Sequence, residues 1–230
     1  MLDWHNSLQI TRRLLRQANK QMLIEIFPDN IDDRKIDQAV KVLRDGGVVI
    51  YPTDTVYTLG CALSSNKALE RVAKLKNLKI EKAKFSIVCS DLSHMTDYSM
   101  PVSNPVFKLM KTLLPGPYTF ILEGNRNIPR IFESNRKSIG IRVPHNTITK
   151  RLVEALGEPL VSTSIHDEDE LLEYSTDAER IDEKWGDKVD LVIGGGPGGF
   201  VPSTVIDCTR GGIDIIREGK GLEEARALIS

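Results

Sequence analysis

Apolar residues recur at two spacings along the chain, and the spacings predict helices interleaved with strands. The clearest helix has apolar residues three and four apart between Ile36 and Leu43, and it ends at Gly46-Gly47. Further helices are predicted around 66–76, with Asn66 as N-cap, over 106–114, over 147–156, and from a cap at Thr176 to residue 185. Strands are predicted over 22–27, 48–51, 85–89, 118–122, 138–143, 160–164, 189–193, 204–208 and 213–217. This alternation indicates a single α/β domain with a twisted, mixed, open sheet flanked by helices.

The composition is that of an ordinary globular protein. The chain has 230 residues, of which 40% are hydrophobic and 27% charged, enough for one large core. Every apolar run is shorter than the roughly 20 residues that a membrane span requires, so no membrane partner is expected. Cys61, Cys89 and Cys208 lack C-x-x-C spacing, and the four histidines are scattered. The sequence therefore predicts a cytoplasmic protein without a metal site.

Charge is distributed unevenly, although the formal net charge is only −1. Residues 66–84 hold seven basic and two acidic side chains, and residues 125–151 hold seven basic and one acidic. Residues 166–190 hold eleven acidic and three basic. Two basic stretches indicate an anionic ligand, and the alternative is that both are solvated helix faces. A nearly neutral chain favours a nucleotide over bulk nucleic acid.

Two segments carry polar groups where an α/β sheet places its ligands. Thr53-Asp54-Thr55 follow a buried strand and Pro52, although an ordinary strand exit would give the same pattern. In the strand 138–143, alternation puts Ser138, Gly140 and Arg142 on one face. An arginine in an apolar strand is costly to bury unless it meets an anion, and its planar fork suits a carboxylate or phosphate. The alternative partner is an internal carboxylate.

Three other segments are candidates of lower specificity. Ser162-Thr163-Ser164 end a strand with hydroxyls that could orient phosphates, and Arg217 is near the end of the last strand. The glycine run 194–199 lacks the lysine of a phosphate-binding loop, so a flexible connection is favoured. The acidic run 166–170 is favoured as a solvated loop rather than a metal site.

Several of these segments closely resemble the YrdC/YciO family, in the same order, from about residue 22 to 220. The matching segments are GGVVIYPTDTVYTLG at 46–60, PGPYTFIL at 115–122, SIGIRVP at 138–144, EPLVSTS at 158–164 and STVID at 203–207. The resemblance implies a YrdC-like domain over 22–220 with a large, basic, concave cleft. Residues 1–21 are then an N-terminal extension and residues 221–230 a C-terminal tail.

The resemblance also implies an activity, L-threonylcarbamoyladenylate synthesis. L-threonine, bicarbonate and ATP, with Mg²⁺, would give threonylcarbamoyl-AMP and pyrophosphate, and partner enzymes would transfer the threonylcarbamoyl group to tRNA. The chain would thus be a nucleotidyltransferase. The implied roles are catalysis by Lys76 and Arg142, threonine binding by Thr55, Cys89, Ser138, Arg142 and Ser162, and ATP binding by Lys76, Ser164, Ser175 and Arg217, with no metal ligands.

Two motifs depart from the synthase pattern and resemble the YciO branch. The family's Lys-x-Arg is Lys76-Asn77-Leu78 here, and its Ser-x-Asn is Ser164-Ile165-His166. Losing an arginine–phosphate contact typically costs about 1.5–3 kcal/mol of binding. The alternatives are therefore a non-catalytic protein that binds double-stranded RNA, tRNA or the ribosome, and a ligase for another amino acid or nucleotide.

Overall fold

The computed structural model describes residues 23–80, 83, 85–129, 138–165 and 176–229. Within them, ten strands form one mixed sheet in the order β1-β8-β2-β3-β7-β4-β6-β5-β9-β10. The strands are β1 Leu23–Glu25, β2 Val49–Tyr51, β3 Thr58–Ala62, β4 Ser86–Val88, β5 Tyr118–Glu123, β6 Ser138–Arg142, β7 Leu160–Ser164, β8 Leu191–Gly194, β9 Thr204–Asp207 and β10 Asp214–Arg217. The helices are α1 Asp33–Arg44, α2 Asn66–Leu75, α3 Leu92–Thr96, α4 Asn104–Leu113, α5 Thr147–Leu156, α6 Ala178–Trp185 and α7 Leu222–Ile229.

The sheet contains both parallel and antiparallel strand pairs. β8 pairs in parallel with β1 and β2, β4 with β6, and β5 with β9, whereas the other neighbours are antiparallel. Because side chains alternate between faces along each strand, the register fixes which residues share a face. This confirms the predicted single α/β domain with a mixed sheet.

The two faces of the sheet are packed differently. One face carries Ile50, Leu59, Ile87 and Ile141 in a large cluster with apolar residues of α2 and α4. On the other face, apolar residues of α1 and α5 cover β1, β8, β2 and the ends of β3, β7 and β4, where Val49, Ala62, Leu160 and Val88 lie. The α1 and α5 pair therefore covers only part of this second face.

The structure corrects several predicted boundaries and adds elements. β3 and α3 were not predicted; β3 is entirely buried, without the polar alternation that would reveal a strand. The N-cap of α2 is Ser65 rather than Asn66, and that of α6 is Asp177 rather than Thr176. Residues assigned to a C-terminal tail form α7, in which Ala225 is fully buried.

Candidate functional site

Small side chains form a row across the part of the second face that lies beyond α1 and α5. Gly60 of β3 pairs with Ser162 of β7, Ser162 with Ser86 of β4, and Ser86 with Gly140 of β6. A Cβ on Gly140 would lie 3.0 Å from Ser86 Oγ and 3.1 Å from Thr119 Cγ2. Glycine and serine thus keep this strip of the sheet shallow and polar.

Arg142 lies beside the row, two residues after Gly140 on the same face of β6. Its Nη2 donates to Asp54 Oδ1 and to Thr55 Oγ1, both at 3.0 Å. The side chains of Arg142 and Asp54 are only 7% and 8% exposed. Among the described residues, Arg142 Nε has no hydrogen-bond partner. Sequence reasoning left an anionic ligand and an internal ion pair as alternatives, and the structure shows the ion pair while leaving one donor unused.

The loop that presents Asp54, residues 52–57 between β2 and β3, is fixed by its own hydroxyls. Thr53 Oγ1 donates to the Val56 carbonyl at 2.8 Å, lies 3.0 Å from Thr55 Oγ1 and accepts from the Thr55 amide at 3.1 Å. The His145 amide donates to Asp54 Oδ2 at 2.9 Å. The loop therefore holds the carboxylate and Thr55 against Arg142 without rearrangement.

The glycine run 194–199 packs against the 52–57 loop, which corrects its interpretation as a flexible connection. The amide of Gly199 donates to the Thr55 carbonyl at 2.7 Å, and Tyr57 Oη donates to the Gly196 carbonyl at 2.7 Å. A Cβ on Gly199 would lie 2.4 Å from the Thr55 carbonyl oxygen. The glycines are needed for this close backbone approach.

Tyr51 is a buried polar residue on the same face as the row, with its ring against Gly60, and sequence reasoning did not select it. A Cβ on Gly60 would lie 2.9 Å from Tyr51 Cε1, so the absent side chain makes room for the ring. Burial raises the pKa of Tyr51, and the nearby Ser162 hydroxyl and Arg142 guanidinium oppose the shift. The Tyr51 hydroxyl therefore lies among the polar groups of the row, close to Ser162 and Arg142.

Two further cations approach the site from the C-terminal segment. Arg217 Nε and Nη2 donate to the Ser203 carbonyl at 3.1 and 2.9 Å, and Nη2 also donates to Ser203 Oγ at 2.9 Å. Ser203 Oγ lies 2.8 Å from Thr119 Oγ1, which joins Arg217 to the strand beside Gly140. Lys220 Nζ donates to the Asp54 carbonyl at 2.6 Å.

The structure brings some predicted site residues together but excludes Cys89 from the polar face. Thr55, Ser162 and Arg142 share that face, and Ser138 and Ser164 lie farther along their strands on it. Cys89 is 1% exposed and belongs to the apolar cluster on the opposite face. Burial also raises the pKa of its thiol. We therefore remove Cys89 from the candidate threonine site.

The remaining predicted residues lie at or beyond the edges of the described site. Lys76 is the half-buried C-cap of α2, and Leu78 two residues later is 44% exposed. Ser175 and His166 lie outside the described residues. Ser86 and Thr119 were missed; alternation within strand 85–89 separates Ser86 from the apolar Ile87, and the pairing of β4 with β6 puts Ser86 on the face of Arg142.

Basic side chains of the two positive stretches are dispersed over the described surface. α2, which carries the first stretch, packs on the face opposite Arg142, and its Arg71 forms an ion pair with Asp190. In the second stretch, Arg151 on α5 pairs with Asp33. Arg142 and Lys220 contact the 52–57 loop, and Arg217 contacts Ser203.

Two classes of site are not found in the described ranges. No group of three His, Cys, Asp or Glu side chains there could hold a metal ion. The helices of those same ranges are all too short or too polar to cross a bilayer.

Comparison with known proteins gives consistent matches over most of the chain. The Sua5/YciO/YrdC family model, described as telomere recombination, matches residues 41–219. The uncharacterized protein YciO of Escherichia coli is 45% identical over 201 residues, covering 85% of this chain and 94% of YciO. Its crystal structure superposes with a TM-score of 0.80, at 43% identity and with 86% and 95% of the two chains covered.

Synthases are more distant in sequence but similar in structure. A threonylcarbamoyl-AMP synthase of Coxiella burnetii is 28% identical over 162 residues, which is 70% of this chain and 86% of the synthase. The crystal structure of P. abyssi Sua5 complexed with L-threonine matches with a TM-score of 0.82 at 27% identity. That match covers 91% of this chain and 61% of Sua5.

Proposed function

The chain belongs to the Sua5/YciO/YrdC family, and from that premise we propose that it makes threonylcarbamoyl-AMP from L-threonine, bicarbonate and ATP. The observation that carries the proposal is the buried Arg142, whose Nη2 contacts Thr55 and whose Nε lacks a partner among the described residues. A carboxylate supplies the acceptor that this guanidinium edge lacks. The L-threonine in the P. abyssi Sua5 complex supports this choice of ligand.

In this proposal the polar face binds the amino acid at one end and the nucleotide at the other. Arg142 holds the threonine carboxylate, while Thr55, Ser162 and Ser138 orient its amine and hydroxyl. Arg217, Ser164, Lys76 and Ser175 bind ATP, and Lys220 adds a positive charge beside Asp54. Because Asp54 holds Arg142 through its carboxylate and Lys220 through its carbonyl, it fixes the spacing between the two ends.

The proposed chemistry requires positioning and charge neutralisation more than acid–base groups. Bicarbonate takes up a proton and loses water to give CO₂. The neutral threonine amine then forms an N–C bond to the CO₂ carbon as one C–O π bond breaks, and the nitrogen releases a proton, giving a carbamate. A carbamate oxygen then forms a bond to the α-phosphorus of ATP, and the bond to pyrophosphate breaks. The cations of the site neutralise the anions that meet there, which is the main contribution expected of such a site.

Mg²⁺ enters the proposal only with ATP. The described residues contain no metal-binding cluster, and Mg²⁺ commonly binds through substrate phosphates with one or two carboxylates. We therefore treat the ion as part of the nucleotide substrate, and no step depends on a protein-bound metal.

The test is product formation with each substrate omitted in turn. Purified protein is incubated with ATP, Mg²⁺, L-threonine and ¹³C-bicarbonate, and threonylcarbamoyl-AMP is measured by mass. We expect Arg142→Lys to raise the threonine concentration for half-maximal rate at least about tenfold, because lysine keeps the charge but not the fork. Arg151→Lys, in an ion pair on α5, is the matched control. A lack of product in the unchanged chain, or an unchanged threonine requirement in Arg142→Lys, would refute the proposal.

A further inference from the structure

Phe200 is an exposed aromatic residue on a short segment that joins both ends of the candidate site. Its side chain is 53% exposed, and its neighbour Val201 is 51% exposed. Single exposed apolar residues are common on protein surfaces and indicate nothing alone. The position of Phe200 is unusual because the residues on both sides of it are attached to the site.

On the N-terminal side, the segment is attached to the 52–57 loop. Gly199 donates its amide to the Thr55 carbonyl, and its Cα leaves no space for a side chain against that oxygen. The preceding Gly198 lies against the ring of Tyr57, where a Cβ would be 2.7 Å from Cδ2. Phe200 therefore directly follows a residue whose backbone is hydrogen-bonded to Thr55, a proposed threonine-binding residue.

On the C-terminal side, the segment is attached to the two additional cations. The Pro202 carbonyl accepts from the Lys220 amide at 2.8 Å, and the Ser203 carbonyl accepts from Arg217. Three peptide steps from Gly199 to Pro202 span at most about 11 Å. Phe200 is thus held between Thr55 on one side and the cations proposed to bind phosphates on the other.

We propose that Phe200 is a stacking platform for the nucleobase of the ATP bound at this site, and this inference rests on the proposed function. Arg217 and Lys220 supply positive charge for the phosphates of ATP. The adenine ring at the other end of ATP is flat and uncharged, so it binds best against an apolar face. An aromatic ring provides that face, and base stacking on one is typically worth about 1–3 kcal/mol. Threonine and bicarbonate have no planar ring that could use it.

The test compares ATP with inorganic tripolyphosphate, which carries the phosphates without the base. Dissociation constants are measured by calorimetry for the unchanged chain, Phe200→Ala and Phe200→Trp. We expect Phe200→Ala to weaken ATP binding roughly fivefold to a hundredfold and to leave tripolyphosphate binding within about twofold. Phe200→Trp should restore ATP binding. Phe107→Ala is the matched control, because Phe107 is 42% exposed on α4, which packs on the opposite face.

Several outcomes would overturn the inference. One is that Phe200→Ala binds ATP within twofold of the unchanged chain, and another is that it loses ATP and tripolyphosphate binding equally. The others are that the unchanged chain does not bind ATP, or that the substitution affects only the binding of an adenine-containing RNA oligonucleotide. The two proposals fail separately. Phe200-dependent ATP binding without product formation refutes only the synthase, whereas product formation with unaltered ATP binding in Phe200→Ala refutes only the stacking.

Discussion

The buried pair of Arg142 and Asp54 makes a quantitative prediction about stability. Replacing Arg142 with methionine removes both Nη2 contacts and leaves the Asp54 carboxylate, 8% exposed, accepting a hydrogen bond from the His145 amide at 2.9 Å. Breaking one side of a buried ion pair typically costs about 3–5 kcal/mol. Because the His145 donor remains, we expect Arg142→Met to lower the free energy of unfolding by about 3 kcal/mol.

A double-mutant cycle separates this loss from general damage to the core. Asp54→Asn keeps an acceptor for His145 and removes the unpaired charge, so the double variant should lose at least about 1 kcal/mol less than the sum of the single variants. Urea unfolding with constant m values measures all four proteins. Arg151→Met, in an exposed ion pair, should change stability little. Additivity within about 0.5 kcal/mol would refute the description of Arg142 and Asp54 as a coupled buried pair.

Four other predictions follow from single features of the structure. Gly199→Ala should cost about 1–3 kcal/mol because its Cβ would meet the Thr55 carbonyl oxygen, whereas Gly212→Ala, with open space, should melt like the unchanged chain. Cys89, 1% exposed and with its pKa raised by burial, should resist iodoacetamide in the native protein and react fully in urea; native labelling would contradict its place in the core. Burial and the Glu224 carboxylate raise the pKa of Tyr118, so the folded protein retains a phenolic proton that the unfolded chain releases above about pH 10. Unfolding free energy should therefore fall more steeply above that pH than in Tyr118→Phe, and equal slopes would exclude this linkage. Leu78→Arg, at a 44% exposed position, should tighten ATP binding roughly tenfold or more by supplying the arginine that the resemblance to the synthases implies here; unchanged affinity in calorimetry would show that this position lies away from the phosphates.

Most of the fold could be predicted because helix and strand periodicity are local properties. Strand β3 was not predicted because all five of its residues are buried, so its sequence shows no alternation of polar and apolar residues. Asp54 as the partner of Arg142 could not be predicted either, since 88 residues separate them and only the sheet register brings them together. Ser86 could have been selected, because alternation within its strand already placed it on a face opposite Ile87.

Strand residues and loop residues of the site differ in how firmly the fold fixes them. Arg142 and Ser162 are held by ladder hydrogen bonds and by a register that any one-residue shift would destroy. Leu78, where the resemblance to the synthases implies an arginine, lies on an exposed segment after α2 and can change without disturbing the sheet. Arg142 and Ser162, at the amino-acid end of the proposed site, are therefore fixed by the sheet, whereas position 78, at the phosphate end, is free to vary. As a synthase, the chain should therefore need a higher ATP concentration for half-maximal rate than the Sua5-type enzymes, and a similar threonine concentration. A chain altered instead at Arg142 or Thr55 would show the reverse, so the ratio of the two requirements identifies which end of the site has diverged.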